Sequence, residues 1–297
     1  MQVVVLTYPG HFFITKLCIE SIQRHYPETT QIHVLFDDSA RGMWQNYGQN
    51  CREYYQTECY PYASVDPNIL QCPVGWWRQQ LVKLCIDKLL LRSDEWFVVD
   101  GDVIFDERIN IQKVTPVHDR EVISSPMAIM VARYVDYMLG SNNSRVQINN
   151  HPVITSSVPF RWLDRAGLMH LRKIAEEQMQ KDFIFGHNEM FQQGSIVGYD
   201  ETASKMVMHE WELFEAYNNV YRHNEYKVVE TGSGYHTTAD TSKCIPGHRF
   251  RHSSLVDTEL GKKWLRQQGL IIPKQLWTKC VNWSERVHQP RRRHILL

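Results

Sequence analysis

The sequence predicts an α/β fold in which a mixed, mostly parallel sheet is flanked by helices. Three short apolar runs, at residues 2–6, 32–36 and 96–99, have the composition of strands buried on both faces. Helical patterns lie between the runs, as they do in parallel strand–helix–strand units. Ligands of such folds bind beyond the carboxyl ends of the strands, so the residues after each run are the first candidates for a site.

The first two strands end in polar side chains. Residues 12–26, between these strands, place apolar residues at the spacing of an amphipathic helix. A right-handed parallel connection would bring both strand ends to the same edge of the sheet. The polar side chains at the two ends are Thr7, Tyr8, Asp37 and Asp38.

The third strand is preceded by a predicted helix over residues 75–91 and a turn at 93–94. Residues 39–76, which lead to this helix, are irregular and rich in Tyr, Gln, Asn and Pro, which is typical of a binding loop or of short elements. On the helix, Gln79 and Lys83 are four positions apart and are therefore neighbours on one face.

The second half of the chain has a less regular pattern. We expect a strand near residues 122–126, then a loop that could close over a site, two helices, a short strand and a late helix. The loop covers residues 139–160, and the two helices cover 161–180 and 201–220. The short strand is expected at 227–230 and the late helix at 257–268.

Composition argues against several classes of protein. Lysine plus arginine and aspartate plus glutamate balance at 33 each, so no overall field attracts nucleic acid or an anionic membrane. The seven cysteines include no Cys-x-x-Cys pair, which favours a reduced compartment over a disulfide framework or a cysteine zinc site. With no signal peptide and no run of about 18 apolar residues, we expect a soluble cytoplasmic protein without a membrane span.

Two carboxylates, Asp100 and Asp102, follow the third strand with a glycine between them. Burying two unpaired anions is costly, so we expect them at the strand end and not within the sheet. Both can face one hard divalent cation, and that cation can hold a diphosphate. The alternative is an ordinary acidic turn, because Asp-Gly is common turn chemistry.

The combination of this helix with these acids resembles the GT-A glycosyltransferases. The closer resemblance is to a bacterial and phage group of glycosyltransferase-like proteins, in which a Gly-Trp-x-x-Gln-Gln-Leu-x-Lys-Leu helix precedes an Asp-x-Asp strand. Residues 75–84 match that helix, and residues 209–214 are similar to a later Ser-Glu-aromatic-Glu-Leu-Tyr segment of the group. The resemblance covers residues 1–110 well and residues 200–220 loosely.

The resemblance implies a single GT-A-like, Rossmann-like domain over residues 1–297. Residues 1–125 would form the half that binds a nucleotide sugar, and residues 126–297 would form the acceptor-facing half with the C-terminal region. The implied activity is metal-dependent transfer of a sugar from a nucleoside-diphosphate sugar, with a UDP-sugar as the expected donor, to a glycan or small-molecule acceptor. Selectivity for the donor sugar is expected in residues 39–75 and 139–160.

The resemblance also implies roles for the strand-end residues. Asp102 would be the main ligand of Mn²⁺ or Mg²⁺, and Asp100 would bind the metal or the ribose. The cation would act as a Lewis acid that stabilises the charge on the leaving diphosphate. Asp37 or Asp38 would hold the base or the ribose. The residues that would line the nucleotide from the first loop are Thr7 and Tyr8.

The helix before the acids contributes the remaining candidates for donor binding, which are Arg78, Gln79 and Lys83. Arg78 and Lys83 would pair with the diphosphate or with Asp100 and Asp102. The alternative for both cations is a solvated helix face.

Two later histidines, His236 and His252, are candidates for a third metal ligand, with a structural or surface role as the alternative. An inverting transferase also needs a base that deprotonates the acceptor hydroxyl. Glu210 and Glu212 are the candidates, with Glu189 as a further one, and the alternative is a helix acid exposed to solvent. A retaining enzyme would need no such base.

Other catalytic patterns are absent from the sequence. Leu213 stands where a zinc-protease motif that begins at His209 would need its second histidine. Neither a P-loop nor a Gly-x-Gly-x-x-Gly pattern is present. Two alternatives stay open. One is a DNA-modifying glycosyltransferase that acts on an extruded modified base of phage DNA, with arginines 291–293 on the phosphates. The other is a non-catalytic relative that binds a nucleotide or glycan.

Overall fold

The computed structural model describes most of the first half of the chain and the main helices of the second half. The described residues are 1–7, 12–38, 50–59, 74–89, 92–101, 103–105, 108, 114–122, 126–140, 147–148, 151–155, 160–197, 205–231 and 250–251.

Strands and helices alternate in the first half, and helices predominate in the second. In chain order they are β1 (Gln2–Thr7), α1 (Phe12–His25), β2 (Gln31–Phe36), β3 (Cys51–Tyr55), α2 (Gln56–Cys59), α3 (Val74–Lys83), β4 (Glu95–Asp100), β5 (Ile104–Phe105), β6 (Val114–Val122), α4 (Pro126–Leu139), β7 (Gln147–Ile148), β8 (His151–Thr155), β9 (Phe160–Asp164), α5 (Arg165–Met179), α6 (Phe183–Gln192), β10 (Ile196–Val197), β11 (Met206–Val207), α7 (Glu210–Tyr221), β12 (Lys227–Thr231) and β13 (Phe250–Arg251).

The central sheet has the strand order β3-β2-β1-β4-β9. The first four of these strands are parallel to their neighbours, and β9 pairs with β4 in the antiparallel direction. Helices α1 and α3 pack on opposite faces of this sheet, as their separate core clusters show. The predicted α/β fold, with a mixed and mostly parallel sheet flanked by helices, is confirmed.

Alternate residues of β1 belong to opposite cores. Val3 and Val5 pack in the cluster that contains Ile22 of α1, whereas Val4 packs in the cluster that contains Leu81 of α3. All five side chains are fully buried. Because successive side chains of a strand point to opposite faces, a strand that is apolar at every position needs cover on both. Each such burial stabilises the fold by about 1.5–3 kcal/mol relative to exposure.

The second half packs its helices against the core that α3 faces. Residues of α4, α5, α6 and α7 all belong to that cluster. A smaller sheet has the order β12-β6-β8-β7, and its β12–β6 pair is parallel. Among the residues that the structure describes, no helix is both long and apolar enough to cross a membrane.

Two helix boundaries differ from the sequence prediction. The helix predicted over residues 161–180 begins only at Arg165, because Phe160–Asp164 pairs with β4 as strand β9. Asp164 accepts a hydrogen bond from the Gly167 amide at 2.8 Å, and this N-cap starts the helix. The helix predicted over residues 75–91 ends at Lys83 and is followed by a 3-10 turn.

Three further regions differ from the prediction. The helix placed over residues 201–220 is α7, which begins at Glu210 after strand β11. The loop predicted over residues 139–160 contains β7 and β8, and the irregular segment 39–76 contains β3 and α2. The sequence pattern did not indicate α4. The short strand predicted at 227–230 is present as β12, and the helix predicted at 257–268 lies outside the described residues.

Candidate functional site

The carboxyl ends of β1, β2 and β4 meet at one edge of the sheet. In the register, Leu6 pairs with Asp100 of β4, and Thr7 pairs with Phe36 of β2. Asp37 follows directly, and its amide donates to the Thr7 carbonyl at 3.1 Å. The side chain of Asp100 is 19% exposed, so this carboxylate lies at the border between core and solvent. Three residues that the sequence placed at strand ends therefore share one edge.

The turn after Asp100 lies against β1. The amide of Gly101 donates to the Leu6 carbonyl at 2.7 Å. Beside it, the hydroxyl oxygens of Thr7 and Thr15 lie 2.6 Å apart, which ties the end of β1 to α1. Both threonine side chains are buried, so the predicted nucleotide contact of Thr7 could involve its backbone but not an exposed hydroxyl.

Lys83 at the end of α3 joins two carboxylates. Its Nζ lies 2.8 Å from Asp100 Oδ1 and 2.7 Å from Glu210 Oε1. The Lys83 side chain is 2% exposed, and that of Glu210 is 3% exposed. Lys83 therefore pairs with Asp100, as one of its predicted roles required, and the alternative of a solvated helix face is wrong for it. The alternative of an exposed helix acid is wrong for Glu210. The Lys83 ammonium thus faces two carboxylates.

Glu210 is held in place by the start of α7. His209 caps this helix, with its ring Nδ1 accepting from the Glu212 amide at 3.3 Å. The Glu210 amide donates to Gln80 Oε1 of α3 at 3.4 Å. Glu212 is buried as well, so it too is not an exposed helix acid. The first turn of a helix favours negative charge, which suits acids at this position.

Trp211 lies close to two buried cations. Lys83 Nζ is 4.7 Å from the centre of the indole ring, and the Arg161 guanidinium carbon is 5.5 Å from it. Arg161, on β9, forms an ion pair with Glu215 of α7, with Nε and Oε1 2.6 Å apart. The indole ring therefore lies within cation–π distance of the cations of two buried ion pairs.

The pKa shifts of Lys83 and Glu210 both favour the charged form of the side chain. Burial alone would raise the pKa of Glu210, but the Lys83 charge and hydrogen bond lower it below its ordinary value. Burial alone would lower the pKa of Lys83, but Asp100 and Glu210 raise it. Two carboxylates thus share the Lys83 ammonium, whose charge offsets the cost of burying Glu210.

The other helix candidates lie close to the same carboxylate. Gln79 Nε2 donates to Asp100 Oδ1 at 3.4 Å, and Arg78 is half-buried. Asp38, in contrast, accepts from the Thr57 amide at 3.0 Å and from the Thr57 hydroxyl at 2.6 Å, and so holds the short helix α2. Asp37 is buried at the strand edge, next to the end of β1.

Several predicted site residues lie outside the described part of the chain. They are Tyr8, Asp102, His236 and His252, and arginines 291–293 of the DNA hypothesis lie there too. Within the described residues, no group of three or more His, Cys, Asp or Glu side chains is arranged to hold a metal. Asp100 offers a carboxylate at the solvent border, which is the type of ligand that hard cations prefer, but Lys83 and Gln79 already contact its Oδ1.

Glu189, the further candidate for a base, lies on α6. It forms an ion pair with Lys181 and accepts a hydrogen bond from Gln193 at 3.2 Å. No contact joins it to Asp100 or Lys83 among the interactions of the described residues. The structure brings Glu210, and not Glu189, to the carboxylate of β4.

Sequence reasoning missed Arg161 and Glu215. The sequence pattern placed Arg161 at the start of a helix, but it lies in β9 and pairs with Val98 of β4. A signal for Glu215 was available in the sequence. Three acids in the otherwise apolar and aromatic segment 210–217 are unusual for a buried helix unless cations face them.

No family model matches the chain, and no curated protein matches it either. Solved structures do show similarity. An active-site mutant of LgtC has a TM-score of 0.47 at 12% identity, covering 94% of this chain and 100% of that one. The galactosyltransferase LgtC with donor and acceptor sugar analogs has a TM-score of 0.45 at 11% identity, with the same coverage.

A third similar structure is mouse xyloside xylosyltransferase 1 in its apo form. Its TM-score is 0.42 at 10% identity, covering 85% of this chain and 97% of that one. All three structures are of glycosyltransferases by name. At such low identities and TM-scores, these similarities carry no conclusion about the activity of this chain.

Proposed function

We propose that this protein is a metal-dependent glycosyltransferase that moves a sugar from a nucleoside-diphosphate sugar to an acceptor, with a UDP-sugar as the expected donor. One observation carries the proposal. Asp100 ends a central parallel strand at the sheet edge where β1 and β2 also end, and Asp102 follows two residues later in the sequence. This edge is where open α/β sheets bind nucleotides.

The edge offers groups that suit a nucleoside diphosphate. Asp37, beside the end of β1, is a carboxylate that could accept hydrogen bonds from ribose hydroxyls. Arg78 and Gln79 precede Lys83 on α3 by five and four residues, and Gln79 already contacts Asp100. Arg78 is the remaining candidate for the diphosphate, because Lys83 is engaged with two carboxylates.

A divalent cation would bind Asp100 and Asp102. Mn²⁺ or Mg²⁺ held by these carboxylates would supply Lewis-acid stabilisation of the charge that develops on a leaving diphosphate. The chain's own residues set the local charge: Lys83 holds Asp100 in one position, and Glu210 offsets the Lys83 charge. His236 and His252 stay predicted as further ligands.

A base for the acceptor hydroxyl stays a prediction, with Glu210 and Glu212 as its candidates. Deprotonation by Glu210 would require it to release Lys83, because its carboxylate is buried in that ion pair. Its low pKa, set by the same ion pair, also makes it a weak base. The geometry therefore favours a positioning role for Glu210 over direct proton transfer.

Calorimetric titration of UDP, GDP and UDP-sugars with and without Mn²⁺ tests the proposal. We expect UDP binding that requires the metal in the wild type and is lost in Asp102→Ala. Asp94→Ala is the matched control. Asp94 lies just before the start of β4, far along the strand from Asp100, and its side chain is 84% exposed. Absence of nucleotide binding by the wild type under every metal would refute the transferase proposal.

A further inference from the structure

Helix α7 begins with a histidine cap whose hydrogen bond depends on the protonation state of the ring. His209 precedes the helix with an extended backbone, and its ring Nδ1 accepts from the Glu212 amide at 3.3 Å. A backbone N–H can only donate, so Nδ1 carries a lone pair and the proton of the neutral ring is on Nε2. The cap therefore exists only while His209 is neutral.

The capped turn is the part of α7 that contacts α3. The Glu210 amide donates to Gln80 Oε1 at 3.4 Å, and the Glu210 carboxylate accepts from Lys83 Nζ at 2.7 Å. Gln80 and Lys83 both belong to α3, and Lys83 also contacts Asp100 at the candidate donor site. The contact between the second half of the chain and α3 therefore depends on the position of this turn.

Protonation of His209 would oppose the cap in two ways. Nδ1 would become a donor, and it would then face the Glu212 N–H, which is also a donor. The new positive charge would lie at the N-terminus of a helix, where the helix dipole disfavours cations. His209 is partly exposed, so a proton can reach the ring without unfolding of the whole chain.

The titratable groups around the start of α7 come from four elements. They are Lys83 of α3, Arg161 of β9, Tyr134 of α4, and Glu210 and Glu212 of α7. Burial of the ring lowers the pKa of His209 from 6.5, Glu210 opposes this shift, and Arg161 and Lys83 add to it. An open turn takes up the proton near pH 6.5, whereas the capped turn takes it up only at lower pH. The stabilisation by the cap is therefore complete above pH 6.5 and is lost as the pH falls below that value.

We propose that His209 is an acid-sensitive positioning residue, which holds the first turn of α7 on α3 while it is neutral and releases this turn when it is protonated. Acid would thereby loosen the contacts of Glu210 with Gln80 and Lys83, although neither Lys83 nor Glu210 itself titrates. Because it concerns only contacts within the chain, this role of His209 is independent of the proposed function.

The test is hydrogen–deuterium exchange of the whole chain, with residue resolution, at pH 7.5 and pH 5.5. Each rate is divided by the intrinsic rate at the same pH, which leaves the equilibrium for opening. Protection of the Glu210 and Glu212 amides in the wild type should fall by about five- to tenfold between the two pH values. The Arg222 amide, at the other end of α7, bonds to the Asn218 carbonyl at 2.9 Å and should change by less than about twofold.

The matched variant is His209→Asn, because asparagine also caps helices but does not titrate. Protection of the Glu210 and Glu212 amides in this variant should agree within about twofold at the two pH values. The variant keeps His187, so a loss of stability that His187 causes is common to both proteins. His209→Ala removes the cap, and its protection at pH 7.5 should lie about fivefold below that of the wild type and should not depend on pH.

Equal protection of the Glu210 and Glu212 amides at pH 7.5 and pH 5.5 in the wild type would overturn the role of His209. An equal loss of protection in the wild type and in His209→Asn would overturn it as well, because a different group would then be the one that titrates. The experiment contains no nucleotide, so its result is separate from the test of the proposed function.

Discussion

The amide of Gly101 donates to the carbonyl of Leu6 at 2.7 Å, which draws the turn between Asp100 and Asp102 against the first strand. A Cβ atom at Gly101 would lie 2.7 Å from the Leu6 carbonyl oxygen and 2.8 Å from the Thr15 hydroxyl oxygen. Neither atom can move freely, because one is backbone in the sheet and the other is bonded to Thr7. The glycine between the two acids is therefore required by packing.

Gly101→Ala should destabilise the protein by about 1–3 kcal/mol, because the new methyl group overpacks the turn. It should also weaken metal-dependent UDP binding, because the displaced turn carries Asp102. Urea unfolding and calorimetry measure the two effects. Gly186→Ala is the control: its Cβ would meet the flexible side chain of Met179, and α6 favours alanine, so UDP binding should stay unchanged. Wild-type stability in Gly101→Ala would contradict the packing argument.

Lys83→Met should destabilise the fold by about 3–5 kcal/mol, because it leaves the buried Glu210 carboxylate without its cation. The measurement is the free energy of unfolding in urea. Lys88→Met removes an exposed lysine five residues later and should change that free energy by less than about 0.5 kcal/mol. Equal effects of the two substitutions would show that the buried ion pair does not form in solution.

His187 should make stability depend on pH. Burial lowers its pKa from 6.5 to about 4, while its ring Nδ1 donates to the Phe183 carbonyl and Nε2 accepts from the Tyr134 hydroxyl. The unfolded chain takes up this proton near pH 6.5, whereas the folded protein takes it up only near pH 4. Stability must therefore fall as the pH decreases from 6.5 towards 4, by about 2 kcal/mol at pH 5 for this group.

The variant His187→Gln isolates that contribution. The difference in unfolding free energy between the wild type and this variant should shrink by about 2 kcal/mol between pH 7.5 and pH 5. Urea titrations at the two pH values measure it. Parallel pH profiles for the two proteins would mean that His187 is protonated in the folded state, or that it is not buried.

Alanine substitution should lower stability at Asp38 and UDP affinity at Asp37. Asp38→Ala removes both acceptors of Thr57 and should lower stability by about 1–2 kcal/mol through loss of the α2 contact. Asp37→Ala should instead lower UDP affinity, because Asp37 lies at the strand edge beside Thr7. Urea unfolding and calorimetry on both variants distinguish the roles. A larger loss of affinity in Asp38→Ala would reverse the assignment.

The central sheet could be predicted from local patterns. A run such as Val3 to Leu6 is apolar at every position, and a strand of that composition is stable only with cover on both faces. The polar residues that follow each apolar run, such as Thr7 and Asp37, indicate where the strands end. Because parallel strands end at one edge, placing Asp37 and Asp100 near each other needed no tertiary information.

Tertiary structure alone decided which partners the buried charges have. Residues 160–164 form a strand because β4 offers them a free edge, although the following residues continue as a helix, and this choice places Arg161 opposite Glu215. Lys83 has the same local pattern as a surface lysine on an amphipathic helix. Glu210 is 127 residues away from Lys83 in the sequence, and only the packing of α7 against α3 brings the two side chains together. Periodicity in the sequence records which face of an element is buried, but ion pairs between distant elements depend on how those faces dock.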